Sequence, residues 1–459
     1  MSDLSVSIKF ERHAAKAVSP NFTLRLKASK PLAEFICLVN APTASHLPCQ
    51  STHPNETTGR YSQRYYCSIS VKGCILKVMA DNDNSYTHQD TFAFLNQGGS
   101  LKEKLIAVHR SVQEKLPFVA RISVVLYDPS TNILKTYVHS SGEDNPLDHY
   151  QALLDNAPSL KEILARGRPR VINNMLNFDK HSKEHTKRLE QQGYAASYTL
   201  PLFNNGEFFG FIFFNAYEIG VFTEDHLEEL DLHGHLITLM AVNELNAIQT
   251  LIAAIKTTGH ITHHRDPETG SHLDRMSRYS RLIATALADK YNLDDEYIEH
   301  IFMFSPLHDV GKIVIPDNIL LKPGKLNEEE MTVMKTHVLK GEEIIDNLLQ
   351  NFGLGNISYV GILRNIVVCH HETIDGVGYP FSKAGDEIPL EARIVAVADI
   401  FDALTSRRPY KEAWSNEDAF AELRQLAGKK LDPDCVEALL AHSKEIETIQ
   451  KQFKESLFG

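Results

Sequence analysis

His308 and Asp309 are adjacent. They pair a nitrogen donor with a carboxylate whose two oxygens can bridge two cations. A His-Asp dipeptide arises often by chance, so its meaning rests on what else the chain supplies. Upstream, RDPETGSH sets Glu268 and His272 four residues apart, on one face of a helix that Asp266 and Pro267 can start. Downstream stand His337 in MKTHVLKGEEII, His370 and His371 in HHETIDGVGYP, and Asp399 in VAVADIFDALTS. This ordered set offers five imidazoles and three carboxylates. Mixed nitrogen and oxygen ligation suits Fe, Mn, Ni, Co or Zn, and the lack of cysteine in the set argues against a Cys-rich structural zinc. Lys312 follows Asp309 by three residues, so on a helix its cationic side chain faces the same site. Of the 22 histidines, nine fall between His260 and His371, which marks that stretch as the site-bearing one. His260, His263 and His264 precede the set and read as linker histidines.

Composition bounds the rest. The chain has 459 residues, 43% hydrophobic and 23% charged, an ordinary globular make-up for about three domains. The net charge of −12 makes sequence-independent DNA binding a poor expectation. The positive share lies in residues 1–96, so the remainder is the more acidic, and metal cations or local Lys and Arg must offset it if a phosphate ester binds. No apolar run approaches the ~18 residues of a membrane helix, and the N-terminus lacks an apolar signal core. A cytoplasmic protein without a membrane segment is expected. The six cysteines, with no CxxC pair among the four early ones, read as idle thiols.

Three regions follow along the chain. Residues 1–95 are poorly defined, with short β-like runs at Tyr65–Ser70 and Cys74–Met79. Residues 97–245 read as one α+β unit. A helix over Leu101–Leu116 precedes a β-branched strand at Arg121–Asp128 and its partner at Ile133–His139. Asn204-Asn205-Gly206 joins Tyr198–Phe203 to Phe208–Phe214 as a hairpin. A linker helix from Glu224 to about Lys256 carries Ala241, Leu245, Ile248, Ile252 and Ile255 at spacings of four and three. That stripe either packs on a neighbouring domain or forms a parallel homodimer seam. Residues 257–459 read as all-α, with periodic runs at Leu273–Tyr291, Glu296–Phe304, Asn327–Gln350 and Glu417–Leu426.

The order of elements in 97–245, with PLFNNGEFFGFIFF and VFTEDHLEEL, resembles a GAF domain, a small-molecule sensor fold whose ligand the sequence does not name. RDPETGSH, LHDVGKIVIPDNILLKPGKLNEEE, His337, HHETIDGVGYP and ADIFDALTSRRPYK resemble the HD-GYP family of metal-dependent phosphohydrolases across about residues 257–445. The resemblance implies a multidomain protein: an α+β GAF-like sensor, a long linker helix and an all-α HD-GYP catalytic domain. It implies hydrolysis of cyclic dinucleotides, mainly cyclic di-GMP to pGpG or GMP, with two or three divalent metals, Fe or Mn first and Ni, Co or Zn as alternatives. By motif position, His308, Asp309, His337, His370, His371 and Asp399 carry over as ligands of a bimetal core, with Asp309 bridging and Asp399 also orienting the nucleophile. Glu268 and His272 match the extra pair of members holding a third metal. Arg408 and Lys411 match positions that hold the phosphates, against the alternative of a solvated basic turn. Gly378-Tyr379-Pro380 is the GYP triplet, tied to substrate access and to contact with diguanylate cyclases. Tyr379 either contacts substrate or only shapes the turn. Val338, Ile374, Val314 and Arg407 depart from the usual pattern without removing a ligand. Rival readings are hydrolysis of cyclic GMP–AMP and a weakly active cyclic dinucleotide receptor or partner-binding module.

Overall fold

The computed structural model describes residues 7–12, 21–27, 35–40, 70–71, 74–75 and 90–454, apart from 143–148, 176–187, 190, 262–269, 353, 355–358 and 407–411. The chain divides into two units, 1–90 and 91–459. In the first, β1 (Ser7–Arg12), β2 (Asn21–Lys27) and β3 (Phe35–Asn40) form an antiparallel sheet, and β4 (Ser70–Val71) pairs with β5 (Cys74–Ile75). The rest of the β-like runs expected at 65–79 lies outside the described residues.

The second unit begins with α1 (Leu101–Lys115). Ser100 accepts from the Glu103 N–H while the Glu103 carboxylate accepts from the Ser100 N–H, which satisfies two end groups the helix itself leaves open. Leu105, Val108 and Val112 recur on one face and are fully buried against the sheet. That sheet comprises β6 (Val119–Asp128), β7 (Ile133–Ser140), β8 (Gln151–Leu153), β9 (Arg170–Ile172), β10 (Ala196–Asn204) and β11 (Glu207–Ala216), in the order β8-β7-β6-β11-β10-β9 with antiparallel pairing throughout. Helix α2 (Pro158–Arg166) lies between β8 and β9. The β10–β11 hairpin turns at Asn205 and Gly206, whose φ values of 51° and 86° are those a two-residue turn between twisted strands requires. Period-two alternation puts Ile122, Val124, Tyr198, Leu200, Ile212 and Phe214 on the face that meets α1 and the next helix.

That helix, α3 (Glu224–Ile261), is shared by two cores. Leu230, Ile237 and Ala241 belong to the sheet's core; Ile248, Leu251 and Ile255 belong to the helical core beyond it. The Ala241–Ile255 stripe is therefore covered by its own chain, with Leu245 and Ile252 packed partly against the same clusters. Of the two readings of the stripe, these contacts match packing against neighbouring domains; heptad-like spacing alone does not say whose side chains fill it. Against the expectation of no membrane-length apolar run, one 18-residue window within Glu224–Ile255 reaches mean hydropathy 1.4, and the same helix lies between the two cores.

The remaining described residues hold α4 (Gly270–Ala286), α5 (Asp295–Phe304), α6 (Glu328–Lys335), α7 (His337–Asn351), α8 (Val360–Cys369), α9 (Leu390–Thr405), α10 (Asn416–Leu426), α11 (Pro433–Leu440) and α12 (Ser443–Gln452). Tyr279, Ile301, Phe304, Leu363, Val367, Ile394 and Phe401 fill their common core. The single helix expected over Asn327–Gln350 breaks at Thr336, and α7 starts with His337.

The sheet domain docks on α4 and α5 through a polar contact. Lys135 and Glu299 form a buried ion pair. The Glu296 carboxylate accepts from the Leu101 N–H at 3.1 Å and the Tyr359 hydroxyl at 3.3 Å, while the Tyr137 hydroxyl donates to Glu244 at 3.3 Å. Burial, with the Glu244 charge added, pushes the Glu296 carboxyl up to about 8, and burial pushes Glu244 up to about 7. The folded chain thus holds protons that the unfolded chain has released, so the stability these groups contribute is full at low pH and is lost as pH rises through about 7 to 8. Glu296→Gln carries a permanently neutral group. Its Tm is expected to fall less than the wild-type Tm between about pH 6 and about pH 9; equal falls would mean that Glu296 is ionised throughout.

Candidate metal centre

Five short segments converge. His272 comes from the first turn of α4, and His308 and Asp309 from the turns after α5. His337 opens α7, His370 and His371 follow α8, and Asp399 lies in α9. They form two groups whose donor atoms lie within 4.8 Å of one another: Asp309, His337, His370 and His371 in one, His272, His308 and Asp399 in the other. The sequence reading had set His272 apart with Glu268. Here it joins the His308–Asp399 group, and Glu268 lies outside the described residues, as do Arg408 and Lys411.

The imidazoles are oriented by their far nitrogens. His308 Nδ1 donates to the Ser305 carbonyl at 3.0 Å, His337 Nδ1 to Met334 at 2.8 Å, and His370 Nδ1 to Ile366 at 3.0 Å. His272 Nδ1 donates to Asp402 Oδ2 at 2.7 Å. A carbonyl can only accept, so Nδ1 carries the proton and Nε2 keeps its lone pair. The break at Thr336 matters for this reason: it turns the first residue of α7 back onto the last turn of α6.

The near nitrogens face the Asp309 carboxylate. His337 Nε2 and His370 Nε2 lie 3.1 and 3.6 Å from Asp309 Oδ1, and all three atoms are buried without a hydrogen bond among the described residues. His308 Nε2 lies 3.1 Å from Asp309 Oδ2 and 3.9 Å from Asp399 Oδ1. Burial pushes His370 and His371 down, so both stay neutral. Burial alone would raise the Asp309 carboxyl, but the Lys312 ammonium beside it holds it well below the usual carboxylate range. Imidazole nitrogens, with His370 held neutral, therefore point at an ionised carboxylate in a largely buried pocket. Acceptor facing acceptor is repulsive until a cation sits between them, and this donor set fits divalent metal.

Lys312 stands in a short 3-10 turn rather than an α-helix, yet the three-residue offset still delivers its Nζ to 2.7 Å from Asp309 Oδ2. Tyr379 lies against His371, ring centroids 4.8 Å apart, and 6.3 Å from His337. Its loop is pinned from below by a residue the sequence reading passed over. The buried Glu372 carboxylate accepts from the Phe381 N–H at 2.7 Å and the Lys383 N–H at 3.0 Å. Gly378 has no room for a side chain, since a Cβ there would meet Glu372 Cα at 2.5 Å.

Two further residues missed in the sequence are Asp402 and Arg275. Burial pulls the Asp402 carboxyl up, but hydrogen bonds from Arg275 and His272 more than offset it and hold it below the ordinary value. Each lies three residues after a candidate donor, Asp402 after Asp399 and Arg275 after His272, so helical spacing was the available signal.

Gly311 sets the approach of α7 to the His-Asp turn. A Cβ there would fall 1.8 Å from the His337 carbonyl oxygen and 2.5 Å from Gly341 N. Gly311→Ala must push α7, and His337 with it, away from Asp309. Overpacking of this kind costs about 1–3 kcal/mol. A lowered Tm together with weakened metal binding is expected in thermal melts and metal titrations; unchanged metal affinity would mean that the contact does not set the donor geometry.

The comparisons with known proteins agree with this division of the chain. Residues 267–435 match the family model of the HD domain, and residues 100–240 match that of the GAF domain. A cyclic di-GMP phosphodiesterase response regulator, RpfG, from Xanthomonas campestris is 49% identical over 190 residues, which cover 41% of this chain and 47% of that protein. A probable cyclic di-GMP phosphodiesterase from Vibrio cholerae is 40% identical over 216 residues, 46% of this chain and 48% of that protein. A 3′3′-cGAMP-specific phosphodiesterase from the same organism is 40% identical over 186 residues, 40% of this chain and 34% of that protein. In each case the chain spans less than half the length of the relative. The chain therefore joins a GAF domain to an HD domain.

Proposed function

We propose that the HD domain is a metal-dependent phosphodiesterase that hydrolyses a cyclic dinucleotide, cyclic di-GMP in the first instance. The observation that carries this reading is the pair of adjoining donor groups built around the His308-Asp309 dipeptide. The names of the relatives support the substrate class, with 3′3′-cGAMP as the second candidate.

Asp309 is the residue placed to serve both groups, one oxygen toward His337 and His370 and the other toward His308. His337, His370 and His371 would hold one cation with it, and His272, His308 and Asp399 a second. Glu268 is the proposed ligand of a third. Fe or Mn fits the hard, mixed donor set best. Two such cations when bound supply an activated water and stabilise charge on the phosphoryl oxygens.

The chain's own groups do the rest. Lys312, part-exposed at the edge of the site, offers its ammonium to a phosphate oxygen or the departing ribose oxygen. Arg408 and Lys411 are proposed to hold the second phosphate, as guanidinium and ammonium suit that task. Tyr379, backed by His371, offers a ring beside the metals for a guanine to lie against. Val377 and Phe381 leave the same loop strongly exposed, at 74% and 56%, which supports a protein contact there, such as with a diguanylate cyclase. The GAF domain's own ligand is a small molecule of unassigned chemistry.

Two substitutions test the assignment. Asp309→Ala should abolish hydrolysis of cyclic di-GMP and of 3′3′-cGAMP while leaving the melting curve of the metal-free chain close to wild type; wild-type turnover by the metal-loaded variant would remove Asp309 from the chemistry. Lys312→Ala should lower kcat by roughly 10²-fold or more, the scale of one lost charge-stabilising group, with metal content unchanged. Loss of metal instead would give Lys312 a structural role. Product chromatography with both dinucleotides on the wild-type chain ranks the two substrates.

A further inference from the structure

The two donor groups are supported in different ways. In the Asp309 group, His337 and His370 lean on backbone carbonyls three and four residues before them. Such props are neutral and come with the local fold. In the second group, His272 leans on a side chain carried by a different helix, Asp402 of α9. Asp402 is fully buried, and its carboxylate accepts four hydrogen bonds among the described residues. Oδ2 accepts from His272 Nδ1 at 2.7 Å, Arg275 Nη2 at 2.8 Å and Ser406 Oγ at 3.0 Å, while Oδ1 accepts from Arg275 Nε at 2.6 Å. Arg275 is itself tied down, donating from Nη1 to the Phe453 carbonyl at 3.0 Å and from Nη2 to Ser406 Oγ at 2.7 Å.

This geometry has two consequences. A carboxylate behind an imidazole fixes its tautomer and ring plane and makes its free nitrogen a stronger donor than a carbonyl does. The Arg275 fork meanwhile engages both Asp402 oxygens, so the carboxylate does not turn toward the cations. Asp399, three residues earlier on the same helix, faces the donor group, and Asp402 backs it.

We infer that Asp402, clamped by Arg275, is a positioning residue that sets cation affinity at the His272–His308–Asp399 group independently of the Asp309 group. The inference rests on the metal-centre reading above. It ties cation binding at the second group to the α4–α9 contact and to the chain near Phe453.

The test is a titration of metal-free full-length chain with Mn²⁺, read by electron paramagnetic resonance and calorimetry. The wild-type chain should show at least two classes of site. Asp402→Asn keeps the shape but loses the charge. It should weaken one class by roughly 10- to 100-fold, the usual cost of losing a carboxylate behind a ligand histidine, and leave the other within about twofold. Should Asp402→Asn fail to fold, Ser406→Ala removes one donor at a part-exposed position and should weaken the same class severalfold without altering the other. Equal weakening of both classes, no change in either, or a single class in the wild type would overturn the inference. A chain that gives the selective pattern yet hydrolyses no cyclic dinucleotide would support the inference and remove the functional reading instead.

Discussion

The helical domain is organised around an electrostatic conflict. Imidazole nitrogens of His308, His337 and His370 face the ionised Asp309 carboxylate within 3.1–3.6 Å, in a largely buried pocket. Left to themselves these groups would turn away, protonate or hydrate. They stay because each ring is fastened from behind, by Ser305, Met334 and Ile366 carbonyls, and because the backbone near Gly311 and Gly378 leaves no space to retreat. Much of the surrounding structure serves that fastening. The break between α6 and α7 orients His337, the Glu372 carboxylate pins the Tyr379 loop, and the Asp402–Arg275 clamp holds His272. Divalent cations would resolve the conflict, and under the proposed function the same cations would polarise a phosphodiester.

The GAF domain reaches this site through shared structure. One face of α3 serves the GAF core near Ile237 and the helical core near Ile248, so the two domains share a structural member. Beside it, α4 carries His272 in its first turn and, further along, Arg278 and Arg281, which donate to Ser130 Oγ at 2.9 Å and Gln151 Oε1 at 3.4 Å of the sheet domain. A displacement of the β6–β7 turn would therefore act on the helix that supplies a ligand of the second donor group. Coupling of this kind needs a ligand that binds two states of the sensor with different affinity.

Much of this was legible in the sequence, and the parts that were not share a cause. Period-two and period-3.6 patterns located the hairpin, α1, α3, α5 and α10 because burial of one face dictates them locally. The donor residues were legible because His and Asp in that order have few other uses. Asp402, Arg275 and Glu372 were passed over because a supporting role exists only once distant elements meet, although the i, i+3 spacing from Asp399 and His272 was on view. The Ala241–Ile255 stripe was legible as apolar but not as internal, since spacing does not identify the partner. The meeting of His272 with His308 and Asp399 depended on how α4 enters the bundle, which no local pattern encodes.

The central claim is that these side chains form a binding site for more than one divalent cation. Metal content per chain, measured on protein purified without oxygen or chelator and compared with His337→Ala, tests it most directly. The account predicts two or three equivalents of transition metal in the wild type and a clear loss in the variant. A wild-type chain that takes up no metal under saturating Fe²⁺ or Mn²⁺, or one whose content is unchanged by His337→Ala, would contradict it.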